Sequence, residues 1–367
     1  MSLKKLHLFL LFLLVIGTTA IPAQAMDNDS TKVKRTEKAT IFKTIQSEAV
    51  PTITIRTAID SILESKLTND VFPASITFQM KNGQSIEKSV ELKPRGKSRR
   101  RLCEFPPLQI RFSKEELAER GIRTNHKKLK LVTHCLESQT ATPSVLKEYL
   151  AYKIYQVLSP FSLDAQLLAT KYEDTDSGNI LEKYAILLED IDELAEEIGG
   201  KEIDTYSRPE GKLHDQHEHI FSLFQYMIGN TDWSLQMARN LKYIRLVDNE
   251  ELVVVPYDFD FSGFVSTPYA KPNVNFGLQS VKQRVFMGSF PNKKIRRQTI
   301  EHFQKNRERI YRLLDDFNEM DELTKFEVQA YLDSFYKTID TPKLVERALP
   351  IKKASPELSD LEGEMHF

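Results

Sequence analysis

The order of strand-like and helix-like segments constrains the fold of this sequence more than any other feature. Residues 51–133 are rich in short β-branched and aromatic runs, whereas apolar residues recur at helical spacing after residue 200. Strands followed by helices, rather than alternating with them, are typical of α+β proteins. A chain of 367 residues is long enough for two lobes. We therefore expect an α+β fold with a β-rich N-terminal lobe at residues 49–200 and an α-rich C-terminal lobe at residues 201–340.

The strand segments are short and are bounded by turn residues. Residues 81–83 (Lys-Asn-Gly) join two of them and are typical of a hairpin turn. The predicted strands lie at residues 52–56, 74–78, 86–92, 108–112, 129–133, 167–172, 184–188 and 252–255.

The helical segments carry start and stop signals. Thr142 can cap a helix that has Pro143 in its first turn, where the missing N–H costs nothing, and Pro160 follows its end. Gly199 and Gly200 end a later helix. The predicted helices lie at residues 143–157, 190–198, 217–228, 297–317 and 322–336, and a loose tail is expected at residues 341–367.

The N-terminus has the features of a secretory signal peptide. Lys4 and Lys5 precede an apolar run at residues 8–16, and residues 23–25 (Ala-Gln-Ala) form a small-x-small cleavage site. The run is shorter than the roughly 20 residues that cross a bilayer. We therefore predict cleavage after Ala25, a linker or disordered tether at residues 26–48, and a periplasmic or secreted protein without a membrane span.

Charge and motif content exclude several function classes. The formal net charge is −1, and loss of residues 1–25, which contain two lysines and no acid, changes it to −3. Such a near-neutral chain is not a general nucleic-acid binder. The Gly-x-Ser-x-Gly and His-Glu-x-x-His motifs of hydrolases do not occur. His214, His217 and His219 cannot all share one helical face, so we favour surface histidines over a zinc site.

The two cysteines, Cys103 and Cys135, are expected to form a disulfide. In an oxidising compartment, a lone pair of cysteines is more consistent with a disulfide than with two free thiols. Each lies beside a predicted strand, at residues 108–112 and 129–133, and adjacent antiparallel strands would bring them within reach. We favour this structural disulfide over a catalytic thiol.

Polar residues follow a buried helix and a buried strand in the second half of the chain. Asp232 lies on a turn after helix 217–228, Asn240 follows it, and Asp258 and Asp260 come after strand 252–255. Asp258 and Asp260 are expected to point the same way, because side chains alternate along an extended chain. Asn240 and either aspartate could bind magnesium while Asp232 orients an acceptor hydroxyl, as phosphoryl transfer requires. Each residue alone is also common at turns and strand ends.

A basic loop at residues 93–101 (Lys-Pro-Arg-Gly-Lys-Ser-Arg-Arg-Arg) follows strand 86–92. Its backbone N–H groups and guanidinium groups could bind phosphates. The loop is not a Walker motif, and a basic run is equally typical of a solvated surface or of a patch that binds an anionic polymer.

Seven short motifs occur in a fixed order between residues 51 and 264. They are Arg95-Gly96-x-Ser98-Arg99, Pro107-Leu108-x-Ile110-x-Phe112, Lys130-Leu131, a Leu-Lys-Glu-Tyr-Leu helix, Leu188-Glu189-Asp190-Ile191-Asp192, Asn230-Thr231-Asp232 and Pro256-Tyr257-Asp258-Phe259-Asp260. This order resembles the CotH family, the spore-coat-type secreted atypical kinases. The resemblance implies a divergent, two-lobed protein-kinase-like fold, ATP and Mg²⁺ as cofactors, and phosphorylation of Ser or Thr in a secreted or envelope protein.

The resemblance also implies roles for individual residues. Asp232 would be the catalytic aspartate, Asn240 and Asp258 would bind the metal, and Arg95 would lie on the phosphate side. Glu148 would be the helix glutamate that pairs with a nucleotide-contacting lysine, for which the candidates are Lys130 and Lys93.

One spacing departs from the kinase pattern. Asn240 lies eight positions after Asp232, whereas kinase catalytic loops place the asparagine five positions after the aspartate. An insertion at residues 235–238 could absorb the difference. Two alternatives to a kinase therefore stay open: a pseudokinase or envelope binding module that recognises an anionic partner, and transfer of another phosphate-containing group by the same site.

Overall fold

The computed structural model describes residues 38–79, 85–138 and 141–352. The predicted signal peptide, residues 26–37 of the tether, the turn at 81–83 and residues 353–367 of the tail lie outside the described residues. The strands are β1 Thr52–Thr57, β2 Phe72–Gln79, β3 Ser85–Pro94, β4 Leu108–Phe112, β5 Lys128–Val132, β6 Ala165–Asp174, β7 Ile180–Leu188, β8 Gly200–Ile203, β9 Leu241–Leu246 and β10 Leu252–Pro256. The helices are α1 Ile41–Ile45, α2 Ile59–Glu64, α3 Arg99–Leu102, α4 Lys114–Glu119, α5 Ala141–Leu158, α6 Ile191–Glu197, α7 Asp215–Met227, α8 Lys293–Lys305, α9 Arg307–Asp315, α10 Glu322–Asp340 and α11 Pro342–Ala348, with a short 3₁₀ helix at Val274–Phe276.

The first seven strands close into a barrel in the order β1-β2-β3-β4-β5-β7-β6. Neighbouring strands are antiparallel except β1 and β6, whose parallel pairing of Thr52 with Ala169 closes the barrel. Exposed and buried residues alternate along β3, because one face of each strand points into the barrel. All seven strands contribute apolar residues to this core, including Ile55, Phe78 and Leu187.

The second part of the chain combines a small antiparallel sheet, β10-β9-β8, with helices. β10 is buried along its whole length because both faces of this sheet are covered. Ile191 and Leu194 of α6 pack on one face, and Phe221 of α7 with Trp233 packs on the other. The long helix α5 lies against β6 and β7 outside the barrel and shares a core with α7 to α11.

The mixed α+β class is therefore confirmed, with differences in detail. Closure of the barrel and the strands β8 and β9 were not expected from the sequence. The predicted helix 297–317 is two helices, α8 and α9, separated at Asn306, whose side-chain Nδ2 donates to the His302 carbonyl oxygen. The arrangement of two kinase-like lobes stays a prediction.

The predicted tether and tail both contain ordered segments. Within the tether, Thr40 caps α1, and Ile41 and Phe42 are buried against the barrel core. Within the tail, residues 342–348 form α11, with Pro342 in its first turn, where a proline leaves no helical hydrogen bond unmade. Local composition is polar in both segments, but a few buried apolar residues suffice to fix them.

The predicted disulfide between Cys103 and Cys135 is present, with Cα atoms 4.5 Å apart. The backbone of Phe105 pairs with that of Cys135 in an isolated antiparallel bridge beyond β4 and β5, and this brings the two cysteines together. Within the described part of the chain, each helix is too short or too polar to cross a membrane.

Candidate active site

A cleft of about 700 Å³ lies where the basic loop, β5 and α5 face the segments that follow α7 and β10. Its lining includes six residues singled out from the sequence, namely Arg95, Lys130, Asp232, Asn240, Asp258 and Asp260. Lys93 does not line it. Glu148 lies behind the lining, where it contacts Arg99. Residues from five separate segments are thus brought together in one cavity.

Asp232 is positioned by the chain reversal at the end of α7. Gly229 has φ +63° and a Cβ there would lie 2.2 Å from the Tyr331 hydroxyl, so only glycine fits. The Gly229 carbonyl oxygen accepts from the Gly263 N–H at 3.1 Å, and this hydrogen bond joins the turn to the segment after β10. The Asn230 side-chain Oδ1 then accepts from the Asp232 N–H at 2.9 Å. Asp232 is consequently held on a rigid turn at the cleft.

The long step from Asp232 to Asn240 is closed by a small hairpin. Ser234 and Arg239 form an antiparallel bridge with two backbone hydrogen bonds, of 3.2 and 3.0 Å, and residues 235–238 make the turn. The Asn240 Nδ2 donates to the Asp232 carbonyl oxygen at 2.7 Å and to its carboxylate Oδ2 at 2.9 Å. The three extra residues relative to a kinase loop therefore do not separate the amide from the acid.

The small sheet places Asn240 beside Asp258. Asn240 immediately precedes β9, Asp258 lies two residues beyond β10, and Leu241 is paired with Pro256 at these strand ends. The Tyr257 N–H donates to the Asn240 carbonyl oxygen at 3.1 Å, which extends the pairing by one residue. The antiparallel pairing thus brings the backbone of Asn240 next to that of Tyr257, the neighbour of Asp258, and both the Asn240 amide and the Asp258 carboxylate line the cleft.

Asp258 adopts a strained backbone conformation. Its φ is +65°, in the left-handed region, which costs a non-glycine residue roughly 1–2 kcal/mol. The Tyr152 hydroxyl of α5 accepts from its backbone N–H at 3.0 Å and holds this conformation. Strain of this kind clusters at functional sites, where the surrounding structure over-determines one residue.

Arg99 is the centre of a buried ion cluster. Its guanidinium lies 2.9 Å from Glu148, 3.0 Å from Asp258 and 2.9 Å from Asp260. Burial alone would lower the pKa of Arg99. The three carboxylates nevertheless hold this pKa well above its usual range. Asp258 and Asp260 do face the same way, as predicted, but the left-handed backbone of Asp258 replaces the predicted extended alternation.

The cluster contains more negative charge than Arg99 can neutralise. Burial, together with the neighbouring carboxylates of Asp260 and Glu148, raises the pKa of Asp258 to about 7 despite Arg99. One carboxylate oxygen of Glu148 and one of Asp260 are buried without a hydrogen-bond partner among the described residues. Mg²⁺ prefers oxygen ligands, and Asp258, Asp260 and the Asn240 amide all offer such oxygens in the lining of the cleft. Asp258, Asp260 and Asn240 are the residues that would hold this ion.

Two inner cations face the same cleft. Neither Arg95 nor Lys130 forms an ion pair with the part of the chain that the structure describes. Burial and the nearby Arg95 lower the pKa of Lys130 to about 8, and burial also lowers the pKa of Arg95. The Lys130 ammonium lies 5.8 Å from the centre of the Tyr257 ring. A half-buried pair of unneutralised cations favours an anionic ligand such as a phosphate group.

Some predicted partners differ from those observed. Glu148 pairs with Arg99, not with Lys130 or Lys93. The prediction of surface histidines is wrong for His217 and His219, which are both buried. The His217 ring contacts the Val254 carbonyl oxygen and the Ser159 hydroxyl, and His219 packs on Phe290.

From the sequence, Tyr152 and Arg239 had no assigned role, and Arg99 was expected, with the rest of the basic loop, to bind phosphates, whereas it binds three carboxylates. The basic loop contained Arg99, but nothing in its spacing indicated Glu148, 49 residues away, as its partner.

Comparison with known proteins shows a structural similarity. No family model matches the sequence, and no curated protein matches it either. One solved structure that is similar is that of a Helicobacter pylori proinflammatory kinase, CtkA, with 13% sequence identity and a TM-score of 0.39. The similarity covers 62% of this chain and 94% of that chain. It does not establish a family, so the chemistry of the cleft rests on the geometry described above.

Proposed function

We propose that this protein is a CotH-like atypical kinase that transfers the γ-phosphoryl group of ATP, with Mg²⁺, to a Ser or Thr hydroxyl of an envelope or secreted protein. The observation that carries the proposal is the contact between the Asp232 carboxylate and the Asn240 amide, next to Asp258 on the neighbouring strand end. Phosphoryl transfer needs an acid that orients the acceptor beside the oxygen ligands of a metal. This arrangement survives the unusual spacing of the two residues.

The reaction assigns one task to each group. The acceptor hydroxyl oxygen bonds to the γ-phosphorus, its proton passes to the Asp232 carboxylate, and the bond to the β–γ bridging oxygen breaks to release ADP. Arg95 and Lys130 stabilise the negative charge of the phosphates. Asp258, Asp260 and Asn240 would hold Mg²⁺, which when bound would neutralise part of the phosphate charge. Arg95 and Lys130, rather than Arg99, are available to contact the nucleotide, because Arg99 is occupied by three carboxylates.

A second candidate function is ligand binding in the same cleft without phosphoryl transfer. The Asp232 carboxylate contacts Arg239 through Oδ1 at 3.3 Å and Asn240 through Oδ2 at 2.9 Å, so both of its oxygens already have partners within the protein. This favours, as an alternative, a pseudokinase or envelope binding module that holds an anionic partner. Transfer of a nucleotide portion rather than the γ-phosphoryl group is a third possibility for the same residues.

Thermal unfolding with and without ATP and Mg²⁺ tests the proposal. A ligand at 100 times its dissociation constant stabilises the native state by about 2.7 kcal/mol, so the melting temperature should rise only when both are present. Asp258→Ala should abolish the magnesium-dependent part of the shift. If ATP and Mg²⁺ give no shift, and the variant behaves like the wild type, the nucleotide cleft is refuted.

Label transfer then separates the three candidate functions. Transfer of label from γ-labelled ATP to protein supports the kinase, and release of AMP supports transfer of a nucleotide portion. Asp232→Asn should retain the thermal shift but lose transfer by a factor of at least about 100, because only the general base is removed. If the wild type binds ATP but yields neither labelled protein nor AMP, the result supports the pseudokinase.

A further inference from the structure

The cations that line the cleft form two groups that differ in exposure. The inner cations, Arg95, Arg99 and Lys130, are buried or half-buried, whereas the rim cations, Lys97, Arg239 and Lys271, are exposed. The lining contains these six cations and only three acids, Asp232, Asp258 and Asp260. Among the inner cations, Arg95 and Lys130 serve the phosphates of the proposed nucleotide, whereas Arg99 is held by Glu148, Asp258 and Asp260. The rim cations are therefore available to a second negatively charged ligand.

Arg239 is fixed at the rim by its backbone. The residues on either side of it, Ala238 and Asn240, have φ values of +44° and +53°, and both are non-glycine residues in the left-handed region. The Arg239 Nη1 lies 3.3 Å from the Asp232 carboxylate, yet 47% of the side chain remains exposed. The Arg239 Nη1 thus contacts the proposed catalytic acid and its Nη2 donates to the Met237 sulfur at 3.6 Å, while the exposed N–H groups can bind a carboxylate from solvent.

Exposed apolar side chains lie between the rim cations. Met237 is 54% exposed and Tyr206 is 87% exposed, and both line the cleft. The Lys97 ammonium lies 5.8 Å from the centre of the Tyr206 ring. The Arg208 N–H donates to the Gln236 carbonyl oxygen at 3.0 Å, which anchors the hairpin to the segment that carries Tyr206. Aromatic, methionine and arginine side chains together are typical of surfaces that bind polypeptides.

We propose that the acceptor rim, defined by Lys97, Tyr206, Met237, Arg239 and Lys271, binds a polypeptide with acidic residues beside its acceptor hydroxyl. Arg239 recognises the acidic residue nearest to that hydroxyl, because it is the rim cation in contact with Asp232. The inference rests on the proposed function for the role of this polypeptide as phosphoryl acceptor, and it names the class of substrate. Charge complementarity selects an acidic segment over a neutral or basic one.

Equilibrium binding of peptides tests the rim without requiring turnover. The probes are three fluorescein-labelled peptides that carry one central serine flanked by glutamates, by glutamines or by lysines, measured by fluorescence anisotropy. The wild type should bind the glutamate peptide about fivefold more tightly than the glutamine peptide, which corresponds to one exposed ion pair. The lysine peptide should bind most weakly. Added salt should reduce the preference.

Two substitutions assign the preference to Arg239. Arg239→Gln should bind the glutamate and glutamine peptides equally, whereas Arg239→Lys should retain part of the preference. Arg297→Gln is the matched control, because Arg297 is also an exposed arginine paired with a carboxylate, Glu301, but lies on α8 and does not line the cleft. It should keep the full preference.

The outcomes separate the rim from the catalytic proposal. Equal binding of the acidic and neutral peptides by the wild type, or an unchanged preference in Arg239→Gln, would overturn the inference. Polyphosphate that displaces the acidic peptide at equal charge concentration would overturn the assignment to a polypeptide. A protein that shows the peptide preference but no nucleotide-dependent thermal shift would keep the acceptor rim and lose the proposed kinase activity.

Discussion

At the residue scale, Arg99 decides whether the acidic side of the cleft can exist. Glu148 and Asp260 are almost fully buried, and each would be costly as an isolated charge. One guanidinium touches both of them and Asp258 as well. Its position places Asp258 and Asp260 side by side, and the proposed site requires them there.

Replacement of Arg99 by Met should destabilise the protein strongly. Removal of one partner from a buried ion pair leaves uncompensated charge and costs about 3–5 kcal/mol. Arg101→Met, an exposed neighbour in the same helix, should cost less than about 0.5 kcal/mol. Urea denaturation measures both free energies of unfolding. Equal losses for the two variants would show that the cluster contributes nothing particular to stability.

At the element scale, α3 depends on its attachments. A helix of four residues is too short to be stable alone, yet it carries Arg99. Its last turn is followed by Cys103, whose N–H donates to the Arg99 carbonyl oxygen at 2.8 Å and whose disulfide leads to Cys135, beyond β5. β5 in turn carries Lys130. The disulfide thus joins the two elements that present Arg99 and Lys130 to the cleft.

Loss of the disulfide should weaken both stability and ligand binding. For a sequence separation of 32 residues, chain entropy predicts a cost of roughly 3–4 kcal/mol. The double variant Cys103→Ser, Cys135→Ser should unfold at lower urea concentration and show a smaller shift with ATP and Mg²⁺, because α3 is released. Reductant should lower the stability and the ligand-induced shift of the wild type to those of the double variant. It should not change either property of the double variant. A variant as stable as the wild type would contradict the expected role.

At the scale of the whole molecule, Glu189 connects the N-terminal segment to both parts of the fold. It follows β7, accepts from the Asp164 N–H before β6 at 2.9 Å, and lies 3.3 Å from the Lys43 ammonium of the α1 segment. With Glu193 and Glu197 it forms an acidic group close enough to hold a metal ion. Lys43 already lies among these carboxylates and neutralises part of their charge, so a metal is not needed to explain them.

Glu189 should make stability depend on pH above the usual carboxylate range. Burial raises the pKa of Glu189 to about 8 despite Lys43, so between about pH 4 and pH 8 the folded state holds a proton that the unfolded state has released. Lowering the pH from about 8 to about 6 should therefore stabilise the wild type by roughly 2 kcal/mol relative to Glu189→Gln.

Free energies of unfolding measured across this range check the effect. Glu64→Gln, at an exposed glutamate that ends α2, is the control, and its free energy of unfolding should change with pH as that of the wild type does. If the free energy of unfolding instead changed with pH in the same way in the wild type and in Glu189→Gln, Glu189 would ionise normally in the folded protein.

Several properties of this protein follow from the sequence alone. The predicted strands and helices are present because side-chain periodicity of 2.0 or 3.6 residues is a local property of the chain. Asp232, Asp258 and Asp260 could be singled out as candidates because each follows a buried helix or strand whose end could be recognised. The disulfide was predictable because two cysteines allow only one intramolecular pairing.

Tertiary structure alone decided how distant segments meet. The barrel closes through β1 and β6, and Arg99 selects Glu148, although neither pairing leaves a periodic signal in the sequence. The step of eight residues from Asp232 to Asn240 suggested a broken metal site, but the Ser234–Arg239 bridge restores the contact. The physical reason is the same in each case: local pattern fixes which face of an element is buried, whereas the partner it meets depends on packing of the whole chain.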